Sequence, residues 1–144
     1  MAASVWQPPV GASWQIVLAA PILTPGASIT PNVDIYDIDM FATSKSTIDA
    51  FHALNKKVIC YFSAGSYEPG RSDSSQFQAS DLGSELVGWP GEYWLNLKST
   101  NVRSIMAARV ALAASKGCDA IDPDNMDGYV SALFAHLSEP KLST

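Results

Sequence analysis

The chain has 144 residues, of which 47% are hydrophobic and 16% are charged, and its formal net charge is −5. This composition is typical of a folded globular domain and excludes a disordered chain. The acidic balance, without any basic cluster, argues against nucleic acid as a partner. No apolar run approaches the roughly 20 residues that span a bilayer, so we expect no membrane partner either. The first residues also lack the basic and apolar regions of a signal peptide.

The first half of the chain alternates between strand and helix patterns. Residues 1–13 are rich in proline and glycine, which predicts an irregular N-terminal segment. A short apolar run at 14–18 and an alternation of apolar and acidic residues over 33–39 predict the first two strands. Helical spacing over 44–55, preceded by serines that can cap it, predicts a helix. The nearly continuous apolar run 57–63 predicts a strand buried on both faces, as in a parallel sheet.

The pattern continues in the second half. Residues 77–86 predict a short, broken helix, and 93–97 predict a fourth strand. The strongest helical periodicity covers 99–116 and ends at Gly117, a residue suited to a helix C-terminus. Residues 119–124 predict a fifth strand that ends in acidic side chains. Strands that alternate with helices in this way predict an α/β fold with a parallel sheet.

Acidic side chains stand where the predicted strands end and loops begin. In a (β/α) barrel the catalytic groups lie at this carboxyl-terminal rim. A doubly wound sheet also binds ligands at the carboxyl ends of its strands. The chain has no glycine-rich phosphate-binding loop, which argues against a nucleotide-binding fold.

Three aspartates lie within six positions at the end of the fifth strand: Asp122, Asp124 and Asp127. On a strand, Asp122 and Asp124 point to the same side. Like charges that are this close raise the pKa of one of them, as a general acid requires. A solvated turn with capping side chains is an alternative. A calcium loop is another, although the glycine and terminal glutamate of an EF-hand are missing.

A second acidic cluster, Asp34, Asp37 and Asp39, ends the second strand. Its side chains can serve a substrate site, but caps for the following loop and helix are the commoner use of such residues. Glu68 and Arg71 follow the third strand, three residues apart. They predict an ion pair that contributes only about 0–1 kcal/mol if it is exposed. A role for this pair in substrate binding therefore depends on its burial.

Aromatic residues flank these acidic positions. Sugar rings stack their apolar faces on aromatic planes, and their hydroxyl groups seek carboxylates. Tyr67 and Tyr129 stand beside polar loop residues, so we expect them to contact a substrate. Trp94 and Tyr61 lie within apolar strands, where packing in the core is the expected role.

Other catalytic chemistries find little support in the sequence. Cys60 and Cys118 are interpreted as buried free thiols, with a disulfide as the alternative. The two histidines, His52 and His136, have no evident partner, and no zinc motif is present. No nucleophilic serine motif occurs either. Of the catalytic chemistries considered, acid–base catalysis by carboxylates is the one that remains.

Several long, collinear motifs resemble glycoside hydrolase family 114 over roughly residues 6–130. The motifs are Trp6–Pro9, Trp14–Ile16, Tyr36–Asp39, Val58–Glu68 with Arg71, Gly88–Glu92, Lys116–Asp119 and Asp122–Tyr129. The resemblance implies a (β/α)₈ barrel of the TIM type and endo-α-1,4-polygalactosaminidase activity, with no cofactor and no metal. It implies a galactosamine-containing polysaccharide as substrate and an extracellular location, and it leaves the oligomeric state open.

The resemblance also implies a set of site residues. Asp124 matches the family's catalytic carboxylate, and the residues expected to bind substrate are Asp37, Tyr67, Glu68, Arg71, Asp122, Asp127 and Tyr129. We expect a barrel truncated to about its first five strands over 14–129 and a divergent tail over 130–144. A second catalytic glutamate would belong to the part of the barrel that follows. The alternative function is a non-catalytic carbohydrate-binding protein or an inactive fragment of such an enzyme.

Overall fold

The computed structural model describes residues 5–128, and these form two compact units. Among the described residues, the first unit contains 5–62 and 109–122, and the second contains 63–108 and 123–128. Tyr129 and the tail predicted over 130–144 lie outside the described residues. In chain order the elements are β1 (Trp14–Val17), β2 (Ile35–Asp39), α1 (Lys45–Ala53), β3 (Lys57–Ser63), β4 (Ser66–Tyr67), β5 (Leu82–Glu85), β6 (Tyr93–Leu95), α2 (Thr100–Lys116) and β7 (Ala120–Asp124).

The main sheet has four strands in the order β1-β2-β3-β7. β2 pairs in parallel with β1 on one side and with β3 on the other. Parallel strands need crossover connections, and α1 provides the one between β2 and β3. The predicted α/β fold with a parallel sheet is therefore confirmed. β1 lies at the edge of this sheet, where Trp14 is 61% exposed and Ile16 is 43% exposed.

The predicted first helix is confirmed as α1, and its position follows from local sequence. The Ser44 hydroxyl accepts a hydrogen bond from the backbone N–H of Thr47 at 3.1 Å, which satisfies one free donor of the first turn. Ile48 and Phe51 lie on the buried face of this helix. The Phe51 ring packs against Tyr36 of β2 with 4.7 Å between ring centroids. Each fully buried apolar side chain contributes about 1.5–3 kcal/mol.

Cys60 of β3 forms a disulfide bond with Cys118, the residue that precedes Asp119. The expectation of two free thiols for Cys60 and Cys118 was therefore wrong. Their Cα atoms are 5.9 Å apart, although 58 residues separate them in sequence. The sheet brings them together, and the sequence carries no local signal of that contact.

The second unit contains a three-stranded antiparallel sheet in the order β4-β6-β5. Tyr67 of β4 pairs with Tyr93 of β6, and Leu82 of β5 pairs with Leu95 of β6. Residues 93–97 were expected to form the fourth strand of the parallel sheet. That expectation was wrong, because β6 pairs with two neighbours that are close in sequence and run antiparallel to it.

The segment expected to form a short, broken helix contains two 3₁₀ turns, Ser74–Gln76 and Ala79–Asp81, followed by strand β5. The carboxylate of Asp81 is buried and accepts hydrogen bonds from the Ser99 hydroxyl at 2.6 Å and the Asn101 amide at 2.7 Å. These bonds hold the pKa of Asp81 below its usual range. They also fix the chain at the start of α2, because Ser99 immediately precedes that helix.

Helix α2 confirms the second predicted helix. Val102, Ile105, Arg109 and Ala113 of α2 are at least 97% buried, whereas Val110 is 45% exposed. The Arg109 guanidinium lies 5.0 Å from the centre of the Phe41 ring, a cation–π contact suited to a buried cation. Within residues 5–128, no helix is both long enough and apolar enough to cross a bilayer.

Candidate active site

Asp37 and Asp122 lie together in the first unit. Asp37 is 5% exposed. Burial raises the pKa of Asp37 to about 7, and the charge of the neighbouring Asp122 acts in the same direction. The sequence predicted a like-charge interaction between Asp122 and Asp124. In the structure the carboxyl with the raised pKa is Asp37, with Asp122 as its acidic neighbour.

Asp34 and Asp39, the other two aspartates of the acidic cluster at the second strand, accept hydrogen bonds from nearby backbone groups. Asp39 accepts a hydrogen bond from the backbone N–H of Ala42 at 2.8 Å. Asp34 accepts hydrogen bonds from the backbone N–H and the hydroxyl of Ser13, at 2.9 and 2.7 Å. These are the capping contacts considered from the sequence. The contacts of Asp37 are of a different kind, because its side chain faces another acid.

The second unit holds the Glu68–Arg71 pair. The guanidinium of Arg71 donates to Glu68 Oε1 at 2.7 Å. The Arg71 side chain is 20% exposed and the Glu68 side chain is 14% exposed, so water screens this pair far less than a surface pair. The second oxygen of Glu68 is buried and has no hydrogen-bond partner among the described residues. A buried acceptor without a partner is costly, which makes it a candidate contact for a ligand.

Glu92 belongs to the same group, although the sequence showed it only as the end of the Gly88–Glu92 motif and did not predict it as a site residue. Burial raises the pKa of Glu92, and the charges of Glu68 and Asp124 add to the effect. Arg71 and a hydrogen bond with Ser66 oppose it. The available signal was an acid that ends the glycine- and proline-rich turn 88–92. Sequence alone did not place that turn beside Glu68.

Asp124 ends β7, and two backbone contacts hold its position. Its carbonyl oxygen accepts hydrogen bonds from the backbone N–H groups of Ala64 at 2.9 Å and Gly65 at 3.1 Å. The next residue, Asn125, has a φ of 60° and donates from its side chain to the Ser63 hydroxyl at 2.9 Å. A Cβ atom at Gly65 would lie 1.8 Å from the carbonyl oxygen of Asn125, so only glycine fits there. These contacts join the loop after β3 to the loop after β7.

The remaining predicted site residues differ in their surroundings. Tyr67 is half-buried and packs edge-on against Phe77, with 5.6 Å between ring centroids, and it also lies near Tyr93. Asp127 is exposed beyond β7. Tyr129 lies outside the described residues. The second unit therefore brings Asp124, Glu92, Glu68 and Arg71 into electrostatic contact, while Tyr67 joins an aromatic cluster.

His52 has a partner that the sequence did not reveal. Its Nε2 lies 2.8 Å from Asp119 Oδ2, and Lys57 Nζ lies 2.6 Å from Asp119 Oδ1. Burial acts to raise the pKa of Asp119, but hydrogen bonds from Lys57, the backbone N–H of Val58 and His52 outweigh it and lower the pKa. This cluster precedes β7, whereas Asp122 and Asp124 lie towards the other end of that strand. Across residues 5–128, no group of three or more His, Cys, Asp or Glu side chains is arranged to hold a metal ion.

A family model described as glycoside-hydrolase family GH114 matches residues 1–142. The chain belongs to family GH114. The resemblance drawn from its motifs is confirmed, and the match covers nearly all of the sequence. A search of the curated proteins found no match.

Two solved structures show what this GH114 chain is similar to. Aspergillus fumigatus Ega3, whose crystal structure holds galactosamine, is 52% identical with a TM-score of 0.81. The similarity covers 87% of this chain and 48% of that one, so the chain spans about half the length of Ega3. The glycoside hydrolase domain of PelA from Pseudomonas aeruginosa is 13% identical with a TM-score of 0.64, over 82% of this chain and 46% of that one. At that identity the likeness to PelA shows the fold alone.

Proposed function

We propose that this chain forms part of a glycoside hydrolase that cleaves polymers of α-1,4-linked galactosamine, with Asp124 as a catalytic carboxylate. The observation that carries the proposal is the group of acids around Asp124 in the second unit. Asp124 stands at the carboxyl end of a strand, its backbone is held by the loop after β3, and its charge reaches Glu92. The identity of 52% to Ega3, which binds galactosamine in its crystal structure, supports the substrate class.

The proposal includes the architecture. The parallel sheet would be the first part of a (β/α)₈ barrel, with strands β1, β2, β3 and β7 as consecutive barrel strands. In such barrels the active site lies at the carboxyl ends of the strands. Asp39, Ser63 and Asp124 end three of these strands. The small antiparallel sheet of β4, β5 and β6 would then be an insertion in the connection that leads from β3 towards α2.

Hydrolysis of a glycoside normally requires two carboxylates that flank the bond. One of them gives a proton to the leaving oxygen, and the other acts as nucleophile or activates water. Asp124 would take one of these two roles, and a glutamate contributed by the rest of the barrel would take the other. The stereochemistry of the released sugar, measured on a full-length relative, would separate a retaining from an inverting mechanism and so define the role of Asp124.

Substrate binding would fall to the other predicted site residues. Glu68 and Arg71 supply an acceptor and a donor for sugar hydroxyl groups, and the buried free oxygen of Glu68 suits such a contact. Glu92 would keep the local charge negative beside Asp124. The expected contributions of Asp37, Tyr67, Asp122, Asp127 and Tyr129 are part of the same proposal. A net negative site suits a polymer whose amino groups carry positive charge.

The test is a reducing-end assay on de-N-acetylated galactosaminogalactan. The chain would be compared with the same chain extended by the C-terminal half of a relative such as Ega3. We expect cleavage by the extended protein and a fall of at least about 10³-fold in rate for Asp124→Asn, since one of two catalytic carboxylates is lost. The matched control is Asp49→Asn, which removes an exposed carboxylate on α1. Normal rates for Asp124→Asn would refute the assignment.

A second function, carbohydrate binding without catalysis, is favoured by the buried free oxygen of Glu68 beside Arg71, because such a contact can hold a sugar hydroxyl group without any reaction. Retention of the 144-residue chain on a galactosamine polymer, with no new reducing ends released, would support this function. Cleavage by the 144-residue chain alone would exclude it. It would also show that the second carboxylate lies within this sequence, with Asp37, Glu68 and Asp122 as the residues to test.

We also propose that the protein works outside the cell. The Cys60–Cys118 disulfide supports this location, because structural disulfides persist in oxidising compartments and are rare in the cytosol. Maleimide labelling of the unfolded protein from culture medium should modify neither cysteine unless a reductant is added. Rapid labelling of both cysteines without a reductant would contradict the proposal.

A further inference from the structure

The side chain of Asp119 holds the connection between α2 and β7 in place. Its Oδ1 accepts a hydrogen bond from Lys57 Nζ at 2.6 Å, and its Oδ2 lies 2.8 Å from Nε2 of His52. The backbone N–H of Val58 also donates to Oδ2 at 2.9 Å, while the backbone N–H of Asp119 donates to the Val58 carbonyl oxygen at 2.8 Å. Hydrogen bonds to an ionised group are stronger than neutral ones. These four contacts, called here the carboxylate lock, tie the connection to α1 and β3.

Cys118 lies between the carboxylate lock and the end of α2. Its backbone N–H donates to the carbonyl oxygen of Ala113 at 3.1 Å, and the preceding Gly117 has a φ of 89°, which ends the helix. On the neighbouring strand, Cys60 comes two positions after Val58, so their side chains point to the same face of β3. The contacts that bring Cys118 to Cys60 are therefore separate from the bond between their sulfur atoms.

The two cysteines differ in their access to solvent. Cys60 is 0% exposed within β3, where Ile38 of β2 is its register partner. Cys118 is half-buried in the connection before β7. In thiol–disulfide exchange a thiolate attacks one of the two sulfur atoms, and the rate depends on access to that sulfur. The difference in burial therefore favours attack at Cys118, with Cys60 as the leaving group.

We propose that Cys118 is a redox-exchange site for a small thiol such as glutathione, and that the carboxylate lock keeps it within reach of Cys60 while the disulfide is open. A glutathione thiolate attacks the sulfur of Cys118, the bond between the cysteines breaks, and Cys60 leaves as a thiolate that takes up a proton. A second glutathione thiolate attacks the glutathione sulfur of the mixed disulfide and releases oxidised glutathione and the Cys118 thiolate, which is then protonated. The same steps in reverse close the bond, with oxidised glutathione as the oxidant.

Single-cysteine variants of the 144-residue chain test the point of attack. Cys60→Ser leaves only Cys118, and Cys118→Ser leaves only Cys60. Each variant would be mixed with oxidised glutathione, and mass spectrometry would follow the mixed disulfide over time, with the rate in urea as the reference for an exposed thiol. We expect Cys60→Ser to react at least about tenfold faster than Cys118→Ser, because a buried thiol reacts only when the fold opens. Equal rates without urea, or faster reaction of Cys118→Ser, would overturn the inference.

The carboxylate lock is tested with both cysteines present, by equilibrating the chain in mixtures of reduced and oxidised glutathione and measuring the ratio of closed to open disulfide. Asp119→Asn should lower the equilibrium constant for closing by about tenfold, because the freed connection gains conformational entropy in the open form, of the order of one ordered residue. His52→Ala removes one contact and should lower the constant by less. Asp49→Asn, an exposed aspartate on α1, should leave it unchanged. A constant that is unchanged in Asp119→Asn, or lowered equally by Asp49→Asn, would overturn the inference, and neither readout depends on polymer cleavage.

Discussion

Substituting Asn for Asp37 tests how much free energy of folding the buried acid costs. Burial and the neighbouring Asp122 raise the pKa of Asp37 from the ordinary value of 3.8 to about 7. The folded state therefore binds the proton more tightly than the unfolded state between these two pH values. The contribution of Asp37 to stability is fully present below pH 4 and is lost as pH rises towards about 7. This pKa change corresponds to about 4 kcal/mol at neutral pH.

Asp37→Asn has nearly the same shape but does not ionise. Urea unfolding at pH 4, 5.5 and 7 should show a small difference between the two proteins at pH 4. The difference in favour of the variant should increase to about 4 kcal/mol at pH 7, at unchanged m-value. Asp122→Asn should recover part of the same energy, and the two changes should be less than additive because the charge of Asp122 contributes to the raised pKa of Asp37. A difference that is constant from pH 4 to 7, or one that resembles Asp49→Asn, would refute this account of the pair.

Three further changes test the packing. Gly65→Ala should lower the free energy of unfolding by about 3 kcal/mol or more, because its Cβ would meet the carbonyl oxygen of Asn125 at 1.8 Å. Thermal or urea unfolding measures this loss, and a loss below about 1 kcal/mol would contradict that contact. Replacing Cys60 and Cys118 together by alanine should lower the free energy of unfolding by about 4 kcal/mol, since the disulfide closes a loop of 58 residues. Unchanged stability would show that the bond does not form. Phe51→Ala should cost about 3–5 kcal/mol because its ring is fully buried, and a smaller loss would mean that the core closes around the gap.

Local patterns in the sequence determined the main elements. The continuous apolar run that became β3 was assigned its exact bounds, Lys57–Ser63, although its residues alternate between half-buried and buried up to Phe62. The helical periodicity and the C-terminal glycine predicted the bounds of α2 to within one residue at its start. Asp37, Glu68, Arg71 and Asp124 were predicted as site residues because acids at strand ends, and motifs shared with family GH114, are both visible in the sequence.

Only the tertiary structure decided which residues meet. Strand β6 has an apolar pattern that suits either a parallel or an antiparallel sheet, so its pairing with β4 and β5 depends on contacts outside its own residues. The same holds for Cys60 and Cys118 and for His52 and Asp119, which lie 58 and 67 residues apart in sequence.

The candidate site also combines features that the sequence supplies with features that only folding decides. The sequence supplies the carboxylates, but their pKa values depend on burial and on the charge placed beside each one. Asp122 and Asp124 are neighbours on one strand, yet the charge of Asp122 raises the pKa of Asp37, 85 positions before it. Glu92 is visible in the sequence only as the end of a turn, and it becomes part of the site because folding places it near Glu68. Composition and periodicity fix the longer helices and the strands of the parallel sheet, whereas packing over long sequence distances decides the chemistry.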